Sequence, residues 1–129
     1  MTPISVTLAR RDPPAAVVAL VGEHDAYSSE RLENELTVLL DDGLRIVVDL
    51  RDASFIDSTT LGVLLAARQR AERAGLGFAL VLPPDEHAEV QKILELTRLG
   101  RVFASFTSLD EGLRAAHAGQ AAGRPSRAA

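Results

Sequence analysis

The run Phe55-Ile56-Asp57-Ser58-Thr59-Thr60-Leu61-Gly62 sets one carboxylate and three consecutive hydroxyls where a short apolar strand gives way to a helix. At such a junction the first backbone N–H groups have no intrahelical partner, and the helix dipole favours negative charge. Two chemistries suit these residue types. A hydroxyl of Ser58, Thr59 or Thr60, or the carboxylate of Asp57, can cap the helix by accepting an orphan N–H. Alternatively, a phosphate on one of the hydroxyls would be held by the same groups. Three hydroxyls exceed what one cap needs. The run reads as a place where charge is written or read, with no catalytic machinery around it.

A second candidate is Gly22-Glu23-His24-Asp25, at the end of a buried strand and before a helix. Loops that follow neighbouring strands of an α/β sheet open on the same edge. The loop with Glu23 and Asp25 should therefore lie near the loop with Asp57 and Ser58. Together the three carboxylates would form an acidic patch. A phosphate would bring about −1.5 to −2 charge into it and repel a partner that binds the uncharged form. The other reading of Glu23 and Asp25 is that they are ordinary solvated loop acids.

Other chemistry finds little support. There is no cysteine, which removes disulfides, thiolate metal sites and thiol nucleophiles. His24, His87 and His117 are scattered without helical ligand spacing, so no metal is expected. Ser58 is outside any Gly-x-Ser-x-Gly elbow, so no catalytic residue is assigned. Gly75 and Gly77 do not form a phosphate-cradling motif, and no cofactor is expected. A net charge of −4 opposes nonspecific nucleic-acid binding. Arg68, Arg70 and Arg73, the densest basic group, spread around a helix. Four Phe and one Tyr give no stacking platform. No apolar run approaches the ~18 residues of a membrane span, and the first residues lack a secretory pattern. Together these point to the cytoplasm.

The elements that must position the two loops follow from periodicity. Ile4–Arg10 alternates as a strand, and Asp12-Pro13-Pro14 signals a turn. Ala15–Val21 is a buried strand that Gly22 ends. Ser28 or Ser29 caps a helix to about Leu40, with Leu32, Leu36, Leu39 and Leu40 on one face and Glu30 in its first turn. Gly43 stops it, and Leu44–Leu50 is the next strand. The helix opened at Asp57 or Ser58 turns Leu61, Leu64 and Leu65 inward and ends before Gly75. Phe78–Leu82 is a strand, Asp85–Leu99 a helix stopped by Gly100, and Val102–Phe106 a short strand. Ser108 to Glu111 has the capping-box form, opening a helix with Leu109, Leu113 and Ala116 on one face. The order ββαβαβαβα predicts an α/β (α+β) domain over residues 1–117, with a mixed sheet of about five strands and about four helices. Residues 118–129 are too poor in apolar side chains to offset ordering and read as a disordered tail.

Strand-Gly22-Glu23-x-Asp25, and strand-Phe55-Ile56-Asp57-Ser58-Thr59-x-Leu61-Gly62, resemble the STAS domain, and more closely the bacterial anti-sigma-factor antagonists. The likeness runs from about Ser5 to Ala116. It implies the STAS fold and a non-enzymatic switch. In that family the first serine after the aspartate, here Ser58, is phosphorylated by the anti-sigma factor, a serine kinase of histidine-kinase-like ATPase fold. The unphosphorylated antagonist binds that factor and frees the sigma factor, and a dedicated phosphatase resets it. The resemblance makes Asp57 the support of the acceptor, places Glu23 and Asp25 on the binding edge, and puts Leu61 and Gly62 in the helix turns that the partner touches. Thr59 is an alternative acceptor. Thr60 stands where the motif has glycine and adds β-branched bulk at the partner's approach. His24 replaces an aliphatic residue and bears on partner choice. A monomer or weak dimer is implied. The alternative is a scaffold or signalling module that assembles with other STAS domains without direct sigma-factor control.

Overall fold

The computed structural model describes residues 4–9 and 13–123. Along the chain come β1 (Ile4–Ala9), β2 (Ala15–Leu20), β3 (Gly22–His24), α1 (Ala26–Asp41), β4 (Arg45–Asp49), β5 (Ala53–Ile56) and α2 (Ser58–Arg73). There follow β6 (Phe78–Val81), α3 (Glu89–Thr97), a 3-10 turn (Leu99–Arg101), β7 (Ala104–Phe106) and α4 (Leu109–His117). Five strands form one sheet in the order β1-β2-β4-β6-β7. β1 runs antiparallel to β2 and every other pairing is parallel, as expected of the mixed sheet.

Helices cover both faces of the sheet, which is why β4 and β6 are apolar without alternation. On one face Leu32, Leu36, Leu39 and Leu40 of α1, Leu61 and Leu64 of α2, and Val90 and Leu94 of α3 pack over Ala16, Val18, Ile46, Val48 and Leu80. On the other, Leu109, Leu113 and Ala116 of α4 close over Val17, Val47 and Val81. Gly77 is required where α4 ends against the start of β6: a Cβ there would fall 2.0 Å from the Ala116 carbonyl oxygen.

Beside the main sheet, β3 and β5 pair in parallel as a two-stranded ribbon that the sequence pattern did not predict. Gly22 does not end a strand before a helix. It takes a left-handed φ of 82°, donates its N–H to the Asp52 carbonyl at 2.9 Å, and begins β3. Glycine adopts this conformation without the penalty that a Cβ brings.

Three helix boundaries differ from expectation. Asp25, not Ser28 or Ser29, caps α1: its carboxylate accepts from the Tyr27 and Ser28 amides, and Ser28 Oγ accepts the Asp25 amide in return. Glu30 therefore lies beyond the first turn. α3 begins at Glu89, because the Asp85 carboxylate binds the His87 amide at 2.8 Å and makes a turn there instead. It ends at Arg98, which adopts a left-handed φ of 59°, and Gly100 falls inside the following 3-10 turn.

The C-terminal segment is ordered further than expected. The Gln120 carbonyl accepts from the Phe78 amide at 2.9 Å, and the Gly123 amide donates to Val102 at 3.1 Å. The buried Arg68 guanidinium donates to the Ala121 carbonyl at 3.3 Å. Main-chain hydrogen bonds hold residues 118–123 where apolar area alone would not. Residues 124–129 of the expected tail lie outside the described residues, as do Arg10 of the expected first strand and Asp12 of its turn.

Candidate functional site

The start of α2 is built by Asp57. Its backbone is extended, with φ −92° and ψ 179°, and its Oδ1 accepts the Thr60 amide at 2.8 Å. The cap is therefore the carboxylate, and Ser58 is the first helical residue. Ser58 and Thr59 are both exposed, and no hydrogen bond among the described residues uses either hydroxyl. The two helix starts also differ. Asp25 takes two amides of the first turn of α1, whereas Asp57 takes only the Thr60 amide.

The ribbon brings the second loop alongside. Glu23 is opposite Phe55 and His24 opposite Ile56. The first pair faces solvent, and the second is buried. The His24 carbonyl accepts the Asp57 amide at 3.1 Å and the Thr60 hydroxyl at 3.3 Å. The Gly22–Asp25 and Asp57–Gly62 segments thus open on one edge, as the strand order implied. They set the carboxylates of Glu23, Asp25 and Asp57 on adjoining turns.

The named residues divide by exposure. Glu23, Asp25, Ser58, Thr59 and Gly62 are at the surface, and Asp57 is half-buried. Thr60 is 0% exposed and Leu61 5%. The β-branched bulk of Thr60 therefore points into the fold and not into a partner's path, and its hydroxyl ties the two loops together. Leu61 acts from the core. His24 is likewise fully buried, so its ring does not meet a partner directly. One ring nitrogen, Nε2, lies 3.2 Å from the Val21 carbonyl, and Nδ1 has no partner among the described residues. Burial pushes this imidazole below its ordinary pKa, against the opposing pull of the Val21 carbonyl and the Asp25 charge.

Gly62 lies four residues after Ser58, on the same face of α2. A Cβ added there would meet nothing within 4 Å. Two aromatic residues at this edge carry no assigned role in the sequence analysis. Tyr27, in the first turn of α1, is 95% exposed, and Phe55 is 42% exposed. For Phe55 the signal was its alternation with the buried Ile56. Among the described residues no group of three or more His, Asp or Glu side chains could hold a metal ion, and no helix is long and apolar enough to cross a membrane.

Residues 7–112 match the profile of the STAS domain. The chain belongs to the STAS domain family. An anti-sigma-B factor antagonist of Listeria monocytogenes is 34% identical over 65 residues, covering 50% of this chain and 57% of that protein. A STAS-domain containing protein of Pseudomonas aeruginosa is 41% identical over 61 residues, covering 46% and 55%. The chain spans about half the length of the curated relatives it matches. Among solved structures, an anti-sigma factor antagonist from Mycobacterium paratuberculosis superimposes with a TM-score of 0.70 at 25% identity, over 88% of this chain and 94% of that one.

Proposed function

We propose that this STAS domain is an anti-sigma-factor antagonist switched by phosphorylation of Ser58. The unphosphorylated chain binds an anti-sigma factor and releases the sigma factor. That anti-sigma factor is also a serine kinase of histidine-kinase-like ATPase fold. Phosphate on Ser58 ends the binding, and a phosphatase restores it. The chain itself carries out no catalysis and works in the cytoplasm.

The observation that carries this reading is the pair Ser58 and Gly62. A glycine inside a helix lowers stability by roughly 0.5–1 kcal/mol relative to alanine. Here nothing among the described residues occupies the space a Cβ would take. On this reading the glycine leaves room for a partner that approaches the helix closely. Four residues earlier on the same face is an exposed serine whose hydroxyl the fold does not use. A kinase that docks along this face meets that hydroxyl first. Asp57 holds the serine at the first position of α2, Thr60 and Leu61 fix the turn from within, and Glu23, Asp25 and Thr59 border it.

The charge logic follows from the same geometry. A phosphoserine adds about −1.5 to −2 charge, and beside carboxylates or within an interface it disrupts by repulsion and desolvation. Ser58 has Asp57 as its neighbour in sequence and the Glu23–Asp25 loop hydrogen-bonded to its own turn.

A pull-down from the source cell with wild type, Ser58→Ala and Ser58→Glu, read by mass spectrometry, tests the reading. Wild type and Ser58→Ala should both recover an ATPase-fold anti-sigma kinase, and Ser58→Glu should recover at least tenfold less. The recovered kinase with ATP should label wild type and not Ser58→Ala. Equal recovery by all three chains would overturn the switch, as would labelling of Ser58→Ala to the same extent.

A further inference from the structure

We propose that the β1 edge is a self-recognition surface, through which two copies of this chain pair antiparallel and join their sheets across a two-fold axis. This goes beyond the switch at Ser58 and does not depend on it.

β1 is at one end of the sheet order, with β2 on one side and, among the described residues, no strand on the other. An edge of this kind presents unpaired N–H and C=O groups, and proteins protect such edges with charge, proline, a bulge or a very short strand. Ile4–Ala9, with the sequence ISVTLA, uses none of these devices. It is six residues long, carries no charge and no proline, and pairs with β2 in unbroken register. The opposite edge is treated differently. β7 has only three residues, and the C-terminal segment bonds beside it, with Gly123 donating to Val102.

Side-chain exposure points the same way. Opposite residues of an antiparallel pair share a face. Ile4, Val6 and Leu8 are opposite Leu20, Val18 and Ala16, on the face that α1 and α2 cover. Those three partners are 0% exposed, but the stripe emerges from cover along β1: Ile4 is 8% exposed, Val6 37% and Leu8 61%. Apolar core surface therefore runs out to the open edge and stops there.

The occupant is a second copy because the strand complements itself. A two-fold axis normal to the sheet keeps each residue on its own face. With Thr7 on the axis, Thr7 meets its own copy and Val6 meets Leu8. With Val6 on the axis, Val6 meets its own copy and Ile4 meets Leu8. Among pairs that fall within Ile4–Ala9, either register sets apolar against apolar and small polar against small, and neither opposes like charges. A two-fold pairing also closes, so it yields a dimer and not a fibre. Six residues a side is far below the roughly 20–30 of a standard interface, so the dimer is weak and depends on concentration.

Sedimentation over a concentration series tests this. Wild type should move from the mass of one chain, 13.8 kDa, towards twice that value. The double variant Val6→Lys/Leu8→Lys should stay at one-chain mass with an unchanged circular dichroism spectrum. The absence of cysteine allows a second, independent reading. Under mild oxidation Val6→Cys or Thr7→Cys should give a disulfide-linked dimer at least ten times faster than Leu96→Cys, an exposed control on α3. A wild type that remains monomeric at every concentration overturns the proposal. So does a dimer that survives the double lysine variant, or a Leu96→Cys chain that cross-links equally fast. If the lysine variant fails to fold, the cysteine series decides alone.

Discussion

Thr60 and His24, 36 positions apart, are joined by a hydrogen bond from the Thr60 hydroxyl to the His24 carbonyl at 3.3 Å, and both residues are fully buried. The same carbonyl also accepts the Asp57 amide. One main-chain oxygen thus fastens the loop that carries Glu23 and Asp25 to the turn that carries Ser58. Thr60→Val keeps the shape and removes the donor. Because the Asp57 amide still satisfies the carbonyl, the loss should be that of one ordinary hydrogen bond, about 1 kcal/mol. Urea denaturation should read that loss, and hydrogen exchange should show faster exchange at the Asp57 amide. Unchanged exchange there would mean the two loops are held together by something else.

Asp57 and Ser58 should separate cleanly by stability. Asp57 makes the capping bond, so Asp57→Ala should cost about 1 kcal/mol, within the usual range for lost N-caps. The Ser58 hydroxyl makes no hydrogen bond among the described residues, so Ser58→Ala should stay within about 0.5 kcal/mol of wild type. Thermal melts of the two variants check this directly. A Ser58→Ala loss as large as that of Asp57→Ala would return the serine to the role of helix cap.

Gly62→Ala is expected to trade binding for stability. The space is open and the position is within the helix, so alanine should add roughly 0.5–1 kcal/mol. The same methyl should stand between α2 and any backbone docked along it, and should weaken capture of the anti-sigma factor several-fold. Titration of the variant against the recovered partner, beside a melt, measures both. A more stable variant with full affinity would show that the glycine has no part in docking.

How far the sequence foretold this fold depends on what kind of signal each element carries. Leu32, Leu36, Leu39 and Leu40 declared α1 through their spacing, and the continuous apolar run of Ala15–Val21 declared a buried strand. β3 and β5 were missed because three or four residues cannot establish a period. Asp25 does not stand out as the cap in the sequence because Ser28 and Ser29 are equally good capping types, and only the geometry shows Ser28 answering Asp25. Residues 118–123 were read as tail because composition reports apolar area, whereas Phe78, Val102 and the buried Arg68 hold that segment through main-chain carbonyls and amides. At the site, the meeting of the two loops was legible from strand order. The inward turn of Thr60 and the burial of His24 were not, since a polar residue in a loop gives no sign of which way it faces.

His24 should make stability depend on pH. Its folded pKa lies below the ordinary imidazole value, chiefly because burial disfavours the charged ring. In the unfolded chain the ring takes up a proton near pH 6.5, while the buried ring resists until the pH is lower. Between those two values the unfolded state binds more protons, so the stability of the fold falls as pH falls through this window. Above it the effect is absent. The geometry agrees with this, since an N–H added at Nδ1 would find no acceptor among the described residues. Urea midpoints of wild type and His24→Leu, measured from pH 7.5 down to 5, isolate the ring from the carboxylates and from His87 and His117, which both chains share. The difference between the two proteins should be constant above about pH 7 and should shift against wild type below about 6.5. A difference that stays flat across the whole range would show that the buried ring takes no part in the acid sensitivity of the fold.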